Sequence, residues 1–151
     1  GPTGSGKTVS LYTASERQRM VNPRKAYPVD PGLIAVFERS GRANLGQALE
    51  TAVLIELERR GATVHYVRTP SGYEVDFHAQ LPDRSCWLLQ VCANAEEPAT
   101  LEREVRALVE AAALHPAATP LLLTLELLPP AAALPPTVLW LPAAAWLLGD
   151  S

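Results

Sequence analysis

The chain has 151 residues, of which 48% are hydrophobic and 19% are charged, a balance that suits one globular domain with its own core. Its formal net charge is −3, which excludes the overall basic balance of proteins that coat nucleic acid but not a local basic patch. No apolar run approaches the roughly twenty residues that cross a bilayer. The two cysteines lack the spacing of a zinc site, and a reducing compartment is the default. We therefore expect a cytoplasmic protein with no membrane segment.

The first eight residues, GPTGSGKT, match the phosphate-binding pattern G-x-x-x-x-G-K-[ST] at every fixed position. In that pattern the backbone around Gly1 and Gly6 surrounds the phosphates, Lys7 reaches the terminal phosphates and Thr8 helps to hold Mg²⁺. A working site also needs a buried strand before the loop and a helix after it, and we expect that strand to be missing because the sequence starts at Gly1. We therefore expect residues 1–22 to be a polar tail with an orphan phosphate-loop segment, and we do not expect ATP to bind there.

Residues 23–151 are predicted to form one α/β domain. The stretch KAYPVDPGLIAVF, residues 25–37, predicts a short extended segment, a proline-marked turn and a helical turn. The clearest helix is predicted over residues 45–61, because apolar residues recur there at spacings of three and four. Gly61 stands at the position of a C-terminal cap of that helix.

Strand-like runs follow the first helix, namely ATVHYVR, YEVDFHAQ and CWLLQVC at residues 62–68, 73–80 and 86–92. The last of them is apolar nearly throughout, which indicates a central position in the sheet. A second helix is predicted over residues 98–115, a buried strand over 120–128 and a short strand with a helical turn from 137. The order helix, three strands, helix and strand predicts an α/β fold with a mixed sheet flanked by helices.

Side chains that carry chemistry lie on the middle strands. The two-residue period predicts that Val75 and Phe77 share one face of their strand while Asp76 faces the other way. If the next strand is the hairpin neighbour, Asp76 and Gln90 meet on one face, and Glu50 of the first helix can approach them. Two carboxylates and an amide oxygen are hard donors, which suit Mg²⁺ or Mn²⁺.

Each of these residues also has a purely structural interpretation. Asp76 can be a solvated residue that faces away from the core. Glu50 can pair with a nearby arginine, and a buried Gln90 amide must find hydrogen-bond partners, which need not be a metal ion. The three histidines of the chain form no evident constellation in the sequence: His65, His78 and His115.

Several stretches occur in the order and at the separations of a known family. The stretch GQALETAVLIELERRGATVHYVRTPSGYEVDFHAQ followed by CWLLQVC resembles the C-terminal domain of unknown function of prokaryotic AAA-type ATP-binding proteins, within the PD-(D/E)XK restriction-endonuclease-like superfamily. The resemblance runs from about Asn22 to Leu148 and includes KAYPVDPGL, LEREVRALVEAA, LLLTLE and LPAAAWLL. Separately, the first fourteen residues, GPTGSGKTVSLYTA, resemble the loop of type IV pilus and type II secretion ATPases.

The resemblance implies a restriction-endonuclease-like fold with a metal-dependent nuclease site. It matches Glu50 to the helix glutamate of the family, Asp76 to the metal-binding aspartate and Gln90 to the acidic-or-Gln position of the next strand. Cys92 occupies the position where active nucleases keep a lysine. A thiol neither positions the attacking water nor stabilises the charge that develops in the transition state, so this departure weakens the case for catalysis.

We therefore predict a degenerate or weak Mg²⁺- or Mn²⁺-dependent nuclease, or a nucleic-acid-binding module. Arg68, on the preceding strand, is a candidate substitute for the missing cation. One alternative is a non-catalytic interaction domain tethered to an AAA-type ATPase module. The other is nucleotide binding through residues 1–8. The expected partners are accordingly nucleic acid or an ATPase module.

Overall fold

The computed structural model describes residues 6–11, 24–28 and 42–149, which contain seven strands and three helices. The strands are β1 (Gly6–Leu11), β2 (Arg24–Pro28), β3 (Thr63–Arg68), β4 (Glu74–Gln80), β5 (Cys86–Cys92), β6 (Ala118–Thr124) and β7 (Leu139–Pro142). The helices are α1 (Arg42–Arg59), α2 (Pro98–Leu114) and α3 (Ala143–Leu148). The predicted order of helix, three strands, helix and strand is confirmed, as is the α/β class with a mixed sheet. The turn and helical turn predicted within residues 29–37 lie outside the described residues.

The seven strands form one sheet in the order β2-β1-β3-β4-β5-β6-β7. Strands β3, β4 and β5 are an antiparallel meander, which short turns can connect. Strand β6 is parallel to both β5 and β7, so α2 serves as the crossover between β5 and β6. The sheet is therefore mixed: the pairs β1–β2, β3–β4 and β4–β5 are antiparallel, whereas β1–β3, β5–β6 and β6–β7 are parallel.

Helices cover both faces of this sheet. Buried residues of α1 and α3, including Leu54 and Trp146, pack with Leu89 of β5 in one core cluster. Leu108 of α2 packs with Leu88 of β5 in a second cluster on the opposite face. Consecutive residues of β5 therefore face different helix layers, and this is why that strand is apolar nearly throughout.

Helix α1 ends in the cap that the sequence predicts at Gly61. The N–H of Ala62 donates to the Leu57 carbonyl and the N–H of Gly61 donates to the Glu58 carbonyl, both at 3.0 Å, which is a Schellman motif. The φ of Gly61 is +81°, a left-handed conformation that favours glycine. The helix begins at Arg42 rather than at residue 45 and ends at Arg59.

The same end of α1 is tied to α3 by a charged junction. The Glu56 carboxylate accepts hydrogen bonds from Arg59 Nη2 at 2.6 Å and from Arg60 Nε at 2.7 Å. Arg60 Nη2 donates to the Trp146 carbonyl at 2.7 Å, and the guanidinium lies 4.3 Å from the centre of the Trp146 ring. Arg60 is therefore a fixed connection between two helices.

The structure differs from the predicted polar tail over residues 6–11, which form β1 between β2 and β3. The local sequence alternates polar and apolar residues, and Val9 is only 2% exposed. Lys7 pairs with Tyr27 and Thr8 with Ala26 in the antiparallel ladder. A phosphate loop instead leads into a helix whose N–H groups face the phosphates, so Gly6, Lys7 and Thr8 are strand residues here. Gly1 lies outside the described residues.

Strand β4 contains a bulge that changes the predicted faces. His65 pairs with His78 and Val67 pairs with Val75, so the two β4 residues between those pairs oppose the single residue Tyr66. The extra residue breaks the two-residue alternation. Val75 consequently lies in the core cluster beneath α2 and Phe77 in the cluster beneath α1. The prediction that these two side chains share a face is wrong.

Candidate functional site

Strands β4 and β5 separate at Asp76 and Gln90. Their ladder runs from the pair Gln80 and Cys86 as far as Phe77 and Leu89. Beyond that point side chains replace the ladder bonds. The N–H of Asp76 donates to Gln90 Oε1 at 2.9 Å, and the N–H of Val91 donates to Asp76 Oδ2 at 2.8 Å. We call this opening between the strands the strand splay, and it brings two predicted site residues into direct contact.

Gln90 is completely buried, and its side-chain amide forms hydrogen bonds with backbone atoms of β4 and α2. Its Nε2 donates to the Glu74 carbonyl at 3.0 Å and to the Glu104 carbonyl of α2 at 3.4 Å. One amide group thus joins β4, β5 and α2. Its Oε1 already accepts one hydrogen bond, which leaves one lone pair for any further ligand.

A polar cleft lies beside the splay, between the β3–β4 turn and α2, with a volume of about 300 Å³. Its lining residues are Arg68, Gly72, Tyr73, Glu74, Asp76, Arg103, Glu104 and Ala107. Arg68 forms an ion pair with Glu74 at 3.2 Å, and Arg103 lies 3.6 Å from Glu104. The arginine side chains are 47% and 65% exposed, and each guanidinium has five N–H donors. Both can therefore contact a ligand while they keep these partners.

The sequence analysis missed Glu104, although the sequence carries a signal for it. Leu101, Leu108 and Ala111 form the buried stripe of α2. Glu104 follows Leu101 by three residues and precedes Leu108 by four, so it points from that stripe toward the sheet. A carboxylate on the apolar face of a helix is unusual and indicates a specific role for the charge.

Glu50 is carried by α1, which packs on the face of the sheet opposite α2. A Cβ built on Gly46 would lie 3.7 Å from the Ala93 Cβ, so the N-terminal half of α1 lies near the carboxyl end of β5. Glu50 comes one turn after Gly46 on the same side of the helix and is half-buried. The structure therefore brings Asp76 and Gln90 into contact and puts Glu50 on the other layer, near the same end of β5.

No group of three or more His, Cys, Asp or Glu side chains within residues 6–11, 24–28 and 42–149 is arranged to hold a metal ion. The predicted ligand set includes the amide of Gln90, a type of side chain that this finding does not cover. The assignment of Mg²⁺ or Mn²⁺ to Glu50, Asp76 and Gln90 therefore stays a prediction. The carboxylates of Glu74, Asp76 and Glu104 line the polar cleft and are hard oxygen donors.

Cys92 is a buried thiol, with 2% of its surface exposed. Burial raises its pKa to about 11, and the negative charges of Glu104, Glu126 and Asp76 act in the same direction. The group is therefore uncharged at neutral pH and cannot supply the positive charge of the lysine that the resemblance would put there. The same three carboxylates make the end of β5 a site of negative potential.

Comparison with known proteins gives no relative for this chain: no protein family, no curated protein and no solved structure matches it. Membership of the nuclease-like family therefore stays a prediction. In the part of the chain that the structure describes, no helix has both the length and the apolar character to span a membrane.

Proposed function

We propose that this chain is a nuclease-like domain that binds a nucleic-acid phosphodiester in the polar cleft, together with Mg²⁺ or Mn²⁺, and that cleaves it weakly or not at all. The observation that carries the proposal is the strand splay, because it opens the sheet where Asp76 lines a cleft that also holds arginines. Irregular strand pairing of this kind is common next to binding sites, and an opening beside mixed charges suits a site for a ligand.

The charges of the cleft fit a phosphate with its counter-ion. Asp76 and Glu104 offer carboxylate oxygens for a hard divalent cation, and Glu50 is the further candidate from α1. The guanidinium groups of Arg68 and Arg103 match the geometry of phosphate oxygens. A phosphodiester brings negative charge that a metal ion and two arginines can balance.

Weak or absent cleavage follows from the position of Cys92. Its neutral thiol cannot stabilise the charge that develops during phosphodiester hydrolysis. Arg68 is the candidate substitute cation, but it is ion-paired with Glu74.

The test is a titration of fluorescently labelled single- and double-stranded DNA, followed by anisotropy in Mg²⁺, Mn²⁺ or EDTA, with cleavage followed on gels. We expect binding that falls with rising salt concentration. Asp76→Asn should remove the dependence on metal, and Arg103→Gln should weaken binding several-fold. Arg84→Gln is the matched control, because Arg84 is exposed in the turn at the opposite end of β4 and β5. Equal effects of the Arg103 and Arg84 substitutions would reject the proposed cleft.

A second candidate is a non-catalytic interaction domain that contacts an ATPase module. It is favoured by Leu127 and Leu128, which are 70% and 77% exposed after β6. They line an apolar cleft of about 490 Å³ with Leu101 and Pro98 of α2. Exposed apolar surface of this kind is common at protein contacts. This candidate predicts no DNA affinity in the anisotropy experiment under any metal condition.

A further inference from the structure

All three histidines of the chain meet in one place, although they are scattered in the sequence. His65 of β3 lies directly opposite His78 of β4 in the antiparallel ladder. His115, just after the end of α2, approaches His78 with the ring centres 5.5 Å apart and the rings 62° from coplanar. The sequence shows no evident constellation of histidines, whereas the fold brings His65 and His115 next to His78. We call His65, His78 and His115 the histidine cluster.

The fold explains why they converge. Directly opposed residues of an antiparallel pair point to the same face, so His65 and His78 share the α2 side of the sheet. His115 comes four residues after Ala111 and seven after Leu108, which continues the buried stripe of α2. His78 is 5% exposed, whereas the other two are half-buried. A small ion could therefore reach the cluster past the two outer rings.

The surroundings keep the rings of the histidine cluster in the neutral form. Burial lowers the pKa of His78 to about 4, and the nearby His115 and His65 act in the same direction. Burial also lowers the pKa of His115. Neutral imidazole is the form that binds metal ions. In addition, the carbonyl end of α2 carries the negative end of the helix dipole, which stabilises a positive charge beside His115.

We propose that the histidine cluster binds a borderline divalent transition-metal ion such as Zn²⁺. Imidazole suits zinc, cobalt, nickel and copper, in contrast to the hard oxygen donors of the polar cleft. Two imidazoles on one tetrahedral zinc ion would have ring centres roughly 5 Å apart, and the rings of His78 and His115 are 5.5 Å apart. No three candidate ligands are grouped around a metal position in the described part of the chain. In the proposed site His65, which lies opposite His78 in the ladder, would complete the ligand set through a change of rotamer.

The experiment titrates the whole chain with Zn²⁺ by calorimetry and with Co²⁺ by visible absorption, because the Co²⁺ bands report ligand type and geometry. We expect saturable binding that His65→Ala and His115→Ala each weaken at least about tenfold. These outer histidines are the informative variants, since replacing buried His78 can unfold the chain. Circular dichroism of each variant shows whether it is folded. Cys86→Ser is the matched control, because Cys86 is the more exposed of the two thiols, and it should leave the affinity unchanged.

Two results would overturn the proposal. The first is the absence of binding at a large excess of metal. If NMR then showed the histidine rings titrating together, the cluster would respond to protons only. The second is binding that survives the loss of both outer histidines. The site is independent of the proposed nucleic-acid function. Asp76→Asn should therefore leave Zn²⁺ affinity unchanged, and a failure of the DNA experiment would not affect this result.

Discussion

The side chain of Gln90 accepts a hydrogen bond from the backbone N–H of Asp76, where a strand carbonyl would ordinarily do so. Because side-chain bonds replace backbone bonds here, β4 and β5 no longer pair as a regular ladder beyond Phe77 and Leu89. This exchange also makes the geometry of the candidate site depend on one buried amide. The site and the stability of the sheet are therefore linked at Gln90.

Gln90→Leu should destabilise the protein by about 2–4 kcal/mol, because it removes the buried amide and leaves the part-buried Asp76 N–H and Glu74 carbonyl without this partner. Chemical denaturation followed by circular dichroism measures the loss. Gln80→Leu is the matched control, since Gln80 is exposed at the far end of β4 and its replacement should change stability by no more than about 0.5 kcal/mol. Similar losses for both variants would mean that the amide contributes little.

Cys92→Lys should create or raise Mn²⁺-dependent DNA cleavage by at least about tenfold, because it restores a cation beside the candidate site. The carboxylates of Asp76, Glu104 and Glu126, whose charges already act on the thiol, would stabilise the ammonium group. Plasmid nicking measures the activity. Cys92→Met, which has similar length and no charge, should leave activity at the wild-type level. A folded lysine variant without any cleavage would count against the nuclease-like interpretation.

The stability of the protein should fall as the pH drops from about 6.5 to about 4, because of His78. The folded-state pKa of His78 is about 4, below the usual 6.5, so the unfolded chain binds more protons in this range. The stabilising contribution is complete above pH 6.5 and at most about 3 kcal/mol. Urea unfolding across this range in EDTA measures it. A folded His78→Gln variant should show a flatter profile, and an unchanged slope would contradict the assignment.

A second acid-sensitive group, Glu56, acts at lower pH. Hydrogen bonds from Arg59 and Arg60 lower its pKa from 4.5 to about 2. The carboxylate contributes stability that is present above pH 4.5 and is lost as the pH falls toward 2. Glu56→Gln should therefore reduce the pH dependence in this lower window and leave the His78 window intact. Thermal unfolding measured between pH 2 and 5 tests whether the effects of Glu56 and His78 fall in separate pH ranges. A single pH-dependent change in Tm that both groups share would refute the prediction.

Arg60→Met should destabilise the α1–α3 junction more than Arg59→Met does. Arg60 is 9% exposed in its side chain and joins Glu56 to Trp146, whereas Arg59 is 65% exposed. Methionine retains an apolar stem and loses every hydrogen bond. Breaking the buried pair should cost about 3 kcal/mol, whereas loss of the solvent-screened Arg59 pair should have a much smaller effect. Equal shifts in Tm would argue against the junction.

Local pattern was sufficient to predict most elements and the meeting of Asp76 with Gln90, because period-two alternation and hairpin adjacency are properties of neighbouring residues. The bulge was not predictable, since the extra residue opposite Tyr66 depends on how two strands pair. The histidine cluster was missed for a similar reason: it unites residues from β3, β4 and the end of α2. Glu104 was predictable in principle, because its spacing from Leu101 and Leu108 puts a carboxylate on the apolar face of α2.

Each outermost strand of the described sheet is brief and terminates in proline: β2 has five residues and ends at Pro28, and β7 has four and ends at Pro142. Proline has no N–H to offer an incoming chain. Both margins of the sheet are therefore poor templates for recruiting foreign strands, and this discourages amyloid-like growth in a chain whose interior strands are strongly apolar.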